Sequence, residues 1–253
     1  MADMKISIVT PTVRKGGVDI LTKCLQKQTF PHSEFEWIIS SPKPFDVWTQ
    51  DARLPCHVIL IKEKPLPKPE WHYGLNHAWN RMFRECKGEL IVSIVDLTWV
   101  APDCLERFWN HYIINPKACI SGIGHQYDQV IDLKPEHLIW QDPRARTDQG
   151  SFYEVMPTEI ELCCTSFPRQ AVLDVGGIDE EWDKYAALSE KEFMLRCQKA
   201  GYQLFLDQTQ EYRAIHHGRL TKEWDKRYFA GTEYYDWCVK EILDGRRLKL
   251  DYV

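Results

Sequence analysis

An acid at the carboxyl end of a hydrophobic strand is the first residue in this chain placed to do chemistry. Residues 91–95, IVSIV, read as a buried strand, and Asp96 follows directly. A carboxylate there can face a ligand, hold a divalent cation or cap a turn. Two other predicted strands also run into polar residues. KISIVT, 5–10, meets Pro11-Thr12, and EWIIS, 36–40, meets Ser41. In open α/β sheets, ligands bind beyond the carboxyl ends of the strands. Thr10, Pro11, Thr12, Ser40, Ser41 and Asp96 are therefore expected around one crevice. A second pair of acids, Glu190 and Glu192, opens a predicted helix over 189–200, with Ser189 as its N-cap. Acids in a first turn are favoured by the helix dipole whether or not they have a function. Two residues apart, they point to different faces, so only one of them can look into a given site.

The elements that must position these residues alternate. After the first strand, apolar spacing predicts a helix over 18–28, a strand over 36–40 and another over 56–61. Three prolines between 62 and 70 make that stretch an extended surface segment. Helical spacing resumes over 75–86 and Gly88 stops it before the strand that leads to Asp96. Asp103, after a proline, starts a further helix. The alternation predicts an α/β sandwich with a largely parallel sheet. Residues 125–161 break the pattern and read as a long, partly irregular excursion, a candidate lid over an acceptor. Regularity returns with a helix over 168–175 stopped by Gly176-Gly177, the 189–200 helix closed by Gly201, and a strand over 202–206. Residues 221–243 form an aromatic amphipathic helix followed by Arg246, Arg247 and Lys249.

Composition narrows the classes. The chain has 253 residues and a formal charge of −5, which argues against sequence-independent nucleic-acid binding. No apolar run reaches the roughly 18–20 residues a membrane span needs, and the first nine residues lack a signal-peptide core, so a cytoplasmic protein is expected. Nine cysteines without a C-x-x-C pair read as reduced, small hydrophobes. Ten tryptophans and eleven tyrosines exceed what a core of this size requires, and exposed aromatic faces suit sugars, bases or protein partners.

Five stretches in this order resemble the inverting, family-2-type glycosyltransferases of the GT-A fold. They are SIVTPT at 7–12, Gly74-Leu75-Asn76-His77-Ala78-Trp79-Asn80, Gly88-Glu89-Leu90 leading to Asp96, Val175-Gly176-Gly177-Ile178-Asp179-Glu180, and SEKEFMLRCQKAGY at 189–202. The resemblance implies a GT-A-like domain over 1–220. Residues 1–100 would form its nucleotide-binding half, 101–220 its acceptor and catalytic half with the lid-like segment 125–161, and 221–253 a C-terminal aromatic helical extension. It implies transfer of a hexose from a nucleotide-diphosphate sugar, UDP-linked by expectation, to a hydroxyl acceptor with inversion.

Glu190 stands at the family's catalytic-base position. Thr10, Pro11, Thr12, Arg14, Ser40, Ser41, Asn76, Asn80 and Asp96 fall at positions that bind the nucleotide sugar, and Asp96, His216 and His217 at those that would hold Mg²⁺ or Mn²⁺. Departures are equally specific. Trp79 replaces an arginine, Ser189 replaces an acid, and strand two ends in serines instead of an aspartate. The D-x-D motif has become Asp96-Leu97-Thr98, in which Thr98 or a water takes the lost position. Arg14, Lys15 and Lys43 are candidates for the missing positive charge. The acceptor class stays open among glycan, small molecule, protein and a modified DNA base. A degenerate member that binds nucleotide sugar without turnover, and a nucleotidyltransferase, are the competing readings.

Overall fold

The computed structural model describes residues 4–49, 54–63, 74–128, 137–145, 150–185, 187–215 and 222–253. Within these, ten strands form one sheet flanked by helices on both faces. The first half alternates as expected: β1 (Ile6–Pro11), α1 (Asp19–Leu25), β2 (Phe35–Ser41), β3 (His57–Lys62), α2 (Leu75–Glu85) and β4 (Leu90–Ile94). Then follow β5 (Thr98–Val100), α3 (Cys104–Ile114), β6 (Ala118–Tyr127), β7 (Leu138–Gln141), β8 (Phe152–Glu154) and β9 (Cys164–Pro168). The chain closes with α4 (Arg169–Val175), α5 (Ser189–Lys199), β10 (Gln203–Ile215) and α6 (Lys222–Leu243). The sheet order is β3-β2-β1-β4-β9-β6-β10-β5, with β7 on β6 and β8 on β10. The three longest ladders, β6–β10, β1–β2 and β2–β3, are parallel, whereas β9 enters antiparallel between β4 and β6.

Strand alternation divides the core in two. Ile6, Ile8, Trp37, Val92 and Ile94 pack with Leu21, Leu25, Leu105 and Phe108 under α1 and α3. Val9, Ile38 and Ile91 face the opposite way, onto Met82 and Phe83 of α2, Val172 of α4 and Phe193 of α5. The Gly88 turn before β4 is set by a close approach: a Cβ there would meet the Ser7 nitrogen at 2.5 Å. The Gly88 amide instead donates to Ser7 Oγ at 2.8 Å.

The 125–161 segment is more regular than its sequence suggests. β6 continues through Tyr127, β7 pairs back onto it, and β8 adds to β10. β10 itself extends beyond the expected 202–206 strand to Ile215, with an irregularity between Asp207 and Glu211. The nine cysteines are all free, and seven are buried. The expected extended stretch at 64–70 and His216-His217 lie outside the described residues.

α6 packs onto α5 and the turn before it. Trp182, Cys238 and Ile242 are buried together, with Tyr185, Tyr234 and Tyr235 against them. The following residues fold back over the glycine turn: Leu250 N–H donates to the Val175 carbonyl and Tyr252 N–H to that of Gly176. Asp179 gathers the phenol hydroxyls of Tyr234 and Tyr252 and the guanidinium of Arg247. No described helix is long and apolar enough to cross a membrane.

Candidate active site

The ends of β1 and β4 meet through Asp96. Asp96 follows β4 and is nearly buried. Its carboxylate accepts from Thr12 Oγ1 at 2.7 Å, and Arg14 Nη1 lies 2.8 Å from both of its oxygens. The partner of Asp96 is thus a guanidinium. Thr98 does not stand in for a second acid: it is fully buried in β5, and its hydroxyl donates to the Asp96 carbonyl at 3.2 Å. Leu97, between them, has φ of 54°, a left-handed conformation costly for a branched side chain. The Leu97 N–H donates to the Gly17 carbonyl at 2.7 Å, which holds the acid against the loop after β1.

The other expected binding residues separate into those at the crevice and those spent inside the fold. Thr10 is fully buried; its hydroxyl donates to the Ile94 carbonyl and accepts from Trp37 Nε1. Pro11 completes β1 with its side chain buried. Asn80 bridges α2 to the glycine turn. Its Nδ2 donates to the Ile178 carbonyl and to Glu180, and its Oδ1 accepts the Ile178 N–H. Ser41 Oγ accepts the Lys43 N–H, while Ser40 Oγ donates to Glu63. Glu63, just past β3, therefore brings a carboxylate to the end of β2, where the sequence alone shows only serines. Burial pushes its acid up, opposed by Arg81. Its signal in the sequence was a strand-end acid, hidden beside the proline-rich stretch.

A cavity of about 420 Å³ is lined by Val95, the residue before Asp96, and by Glu190. Glu190 sits in the first turn of α5, partly exposed, with Ser189 Oγ donating to it at 3.3 Å and Lys191 Nζ 3.8 Å away. Ser189 is the first helical residue; Leu188 occupies the N-cap, with φ of 79°. That left-handed residue supplies the carbonyl accepting the Lys191 and Glu192 N–H groups. The two described non-glycine residues with positive φ, Leu97 and Leu188, thus flank Asp96 and Glu190.

Glu192 points away, as its spacing predicted. Its side chain is fully buried in a two-pronged pair with Arg196, at 2.8 and 2.9 Å. Arg196 also donates to the Val175 and Gly177 carbonyls, so this pair ties α5 to the glycine turn.

Three further lining residues had no sequence signal. Asp183 is fully buried and caps α2 from a distance, accepting N–H groups of Asn76 and His77 and the Asn76 side-chain amide. Burial pushes its carboxyl up to about 7 in spite of those donors. Glu161 lies 3.7 Å from Arg144, whose guanidinium is held by Asp142. Trp182 anchors α6. Cys163 also lines the cavity, but burial pushes its thiol up to about 12, so it is no nucleophile.

Among the described residues, no three His, Cys, Asp or Glu side chains gather as metal ligands. Of the three expected metal ligands, Asp96 is paired with Arg14, while His216 and His217 lie outside the described residues.

No family model and no curated protein matches the chain. Solved structures do. S. aureus TarS 1–349 in complex with UDP-GlcNAc superposes with a TM-score of 0.65 at 13% identity, over 95% of this chain and 67% of that one. The mannosyltransferase PcManGT from Pyrobaculum calidifontis, in complex with GDP-Man and Mn²⁺, gives 0.63 at 14% identity, over 91% and 64%. TarS 1–349 with UDP gives 0.58 at 14%, over 84% and 61%. The chain thus spans roughly three-fifths to two-thirds of the length of these structures. Together with its strand order and mainly parallel central sheet, the likeness shows that this protein has the α/β GT-A glycosyltransferase fold.

Proposed function

We propose that this protein is an inverting glycosyltransferase that moves a hexose from a nucleotide-diphosphate sugar, UDP-linked, to an acceptor hydroxyl. One observation carries the reading: Glu190 stands on the wall of a cavity that is also lined by Val95, the residue before Asp96. A base on the acceptor side and a charged site for the leaving group are what this displacement needs. The complexes of the structural neighbours with UDP-GlcNAc and GDP-Man support the donor class.

In the reaction the acceptor oxygen forms a bond to the anomeric carbon while the bond from that carbon to the diphosphate breaks. Glu190 takes the hydroxyl proton, and the electron pair departs with the nucleoside diphosphate. Arg14, with 40% of its side chain exposed, keeps Nη1 on Asp96 and turns the rest of its guanidinium to the diphosphate, so the developing charge is met by a cation. Asp96, itself oriented by the Thr12 hydroxyl, holds that guanidinium in place before the donor arrives.

The test is transfer and hydrolysis across a panel of nucleotide sugars, with Mn²⁺ or with EDTA. Glu190→Gln is expected to lower turnover by about 10²–10⁴-fold with the fold retained. Equal rates in wild type and variant would refute the base assignment. Activity abolished by EDTA and restored by Mn²⁺ would refute the role given to Arg14. Donor binding without any turnover would favour a nucleotide-sugar-binding protein instead.

A further inference from the structure

A lysine in the first turn of a helix works against the helix dipole, and a lysine is seldom buried unless it is paired. Lys191 stands in the first turn of α5 with only 13% of its side chain exposed. Its ammonium donates to the Ile160 carbonyl at 2.6 Å. That bond ties α5 to the stretch whose next residues, Glu161, Leu162 and Cys163, line the Glu190 cavity. A neutral N–H donor would serve a carbonyl as well, so the bond to Ile160 does not account for the charge. The charge has its counterpart in Glu190, whose Oε1 lies 3.8 Å from the ammonium. At that separation the two attract without a formed hydrogen bond. The other oxygen, Oε2, accepts from Ser189 Oγ at 3.3 Å. The residues on either side of Glu190 thus hold different oxygens of one carboxylate, and its plane is set from both sides. Glu192, the other acid of this turn, is already engaged by Arg196.

We infer that Lys191 is a positioning residue for the base: its ammonium, anchored on the Ile160 carbonyl, holds the Glu190 carboxylate in the orientation that receives the acceptor proton. This deepens the transferase reading and rests on it for the role of Glu190. Lys191 is not among the described lining residues of the cavity, so it acts through Glu190 and not on the acceptor. A carboxylate free to turn spends less of its time aligned with the attacking hydroxyl. Misalignment of that kind lowers the rate of the chemical step and leaves the affinity for both substrates in place.

The experiment is a double-mutant cycle between positions 190 and 191, read as kcat and KM on the nucleotide sugar and acceptor that the wild type turns over. Lys191→Gln keeps an N–H donor for the Ile160 carbonyl and removes the charge, whereas Lys191→Arg keeps both. Lys191→Gln is expected to lower kcat by about tenfold, equivalent to about 1.4 kcal/mol, with KM changed by less than about twofold. Lys191→Arg is expected to stay within about threefold of the wild-type kcat. In the Glu190→Gln background, Lys191→Gln is expected to change the residual rate by less than about twofold, because the group it acts through is gone. A loss of the same size in both backgrounds would reduce Lys191 to a tie between two walls and overturn the inference, as would an unchanged kcat in Lys191→Gln. A second readout needs no turnover: the carboxyl ¹³C resonance of Glu190 in protein labelled at the glutamate Cδ, identified with Glu190→Gln. It is expected to move in Lys191→Gln and to return towards its wild-type position in Lys191→Arg. A resonance that Lys191→Gln leaves in place would sink the inference whatever the kinetics. A wild-type protein that turns over no nucleotide sugar, yet whose Glu190 resonance follows Lys191, would instead sink the transferase reading and keep the pairing.

Discussion

Arg196→Met leaves Glu192 as a carboxylate with no exposed surface and removes its two-pronged partner. Arg196 makes four hydrogen bonds, two to Glu192 and one each to the Val175 and Gly177 carbonyls, and methionine can replace none of them. Breaking a buried ion pair from one side costs about 3–5 kcal/mol, because the remaining charge is uncompensated. The Arg247 guanidinium, 3.5 Å from Glu192 Oε1, offsets part of this, and the two stranded carbonyls add to it. For a domain of this size, each kcal/mol moves the melting point by about 2–4 °C, so a fall of roughly 6–20 °C is expected. The assay is urea unfolding, read as a shift in midpoint at constant slope. Replacing both partners, Glu192→Leu with Arg196→Met, removes the stranded charge and is expected to recover most of the loss, leaving about 1–2 kcal/mol for the two carbonyls. If the single and double variants are equally destabilised, Glu192 was never dependent on Arg196, and the clasp between α5 and the glycine turn is misread.

Two further outcomes follow from the same region. Gly176 has φ of 72°, and a Cβ there would overlap the Leu250 carbonyl, so Gly176→Ala is expected to cost about 2 kcal/mol or more and to expose residues after 245 to limited proteolysis. An unchanged digestion pattern would count against that docking. Asp183 has its carboxyl raised by burial from 3.8 to about 7, so the native state keeps a proton that the unfolded chain releases. Its stabilising contribution is complete below about pH 4 and is lost as pH rises through about 7, a change of about 4 kcal/mol at most. Asp183→Asn removes that dependence. Unfolding midpoints at pH 5 and pH 8 check it, and a wild-type-to-variant gap that does not change with pH would refute it.

The parts legible in the sequence were those whose signal is local. Asp96 at a strand end, the α2 and α5 helices and the Gly176-Gly177 stop each follow from periodicity or from glycine within a dozen residues. β7 and β8 were not visible because they are short, and their side chains are half-exposed or exposed, so no hydrophobic run marks them. Ser189 looked like a cap because of its hydroxyl, yet the left-handed Leu188 took that place through its backbone alone. Glu63, Glu161, Asp183 and Trp182 reach the site only through contacts between distant segments; Asp183 meets Asn76 across 107 positions. Arg14 was visible as a candidate charge. Its attachment to Asp96 was not, because no spacing rule joins residues 82 apart.

The sheet that separates the two apolar layers also separates two mutational fields. The layer under α1 and α3 supports the Arg14 loop, and the layer under α2, α4 and α5 supports Glu190 and the cavity. Substitutions more than about 7–10 Å apart with no shared neighbours combine additively. On the proposed reading, changes to the cavity wall at Trp182 or Tyr185 are therefore expected to leave the Arg14 loop undisturbed. If the proposed roles hold, the cavity can change its ligand while the Arg14–Asp96 pair stays constant, so one partner of the reaction can be altered at a time.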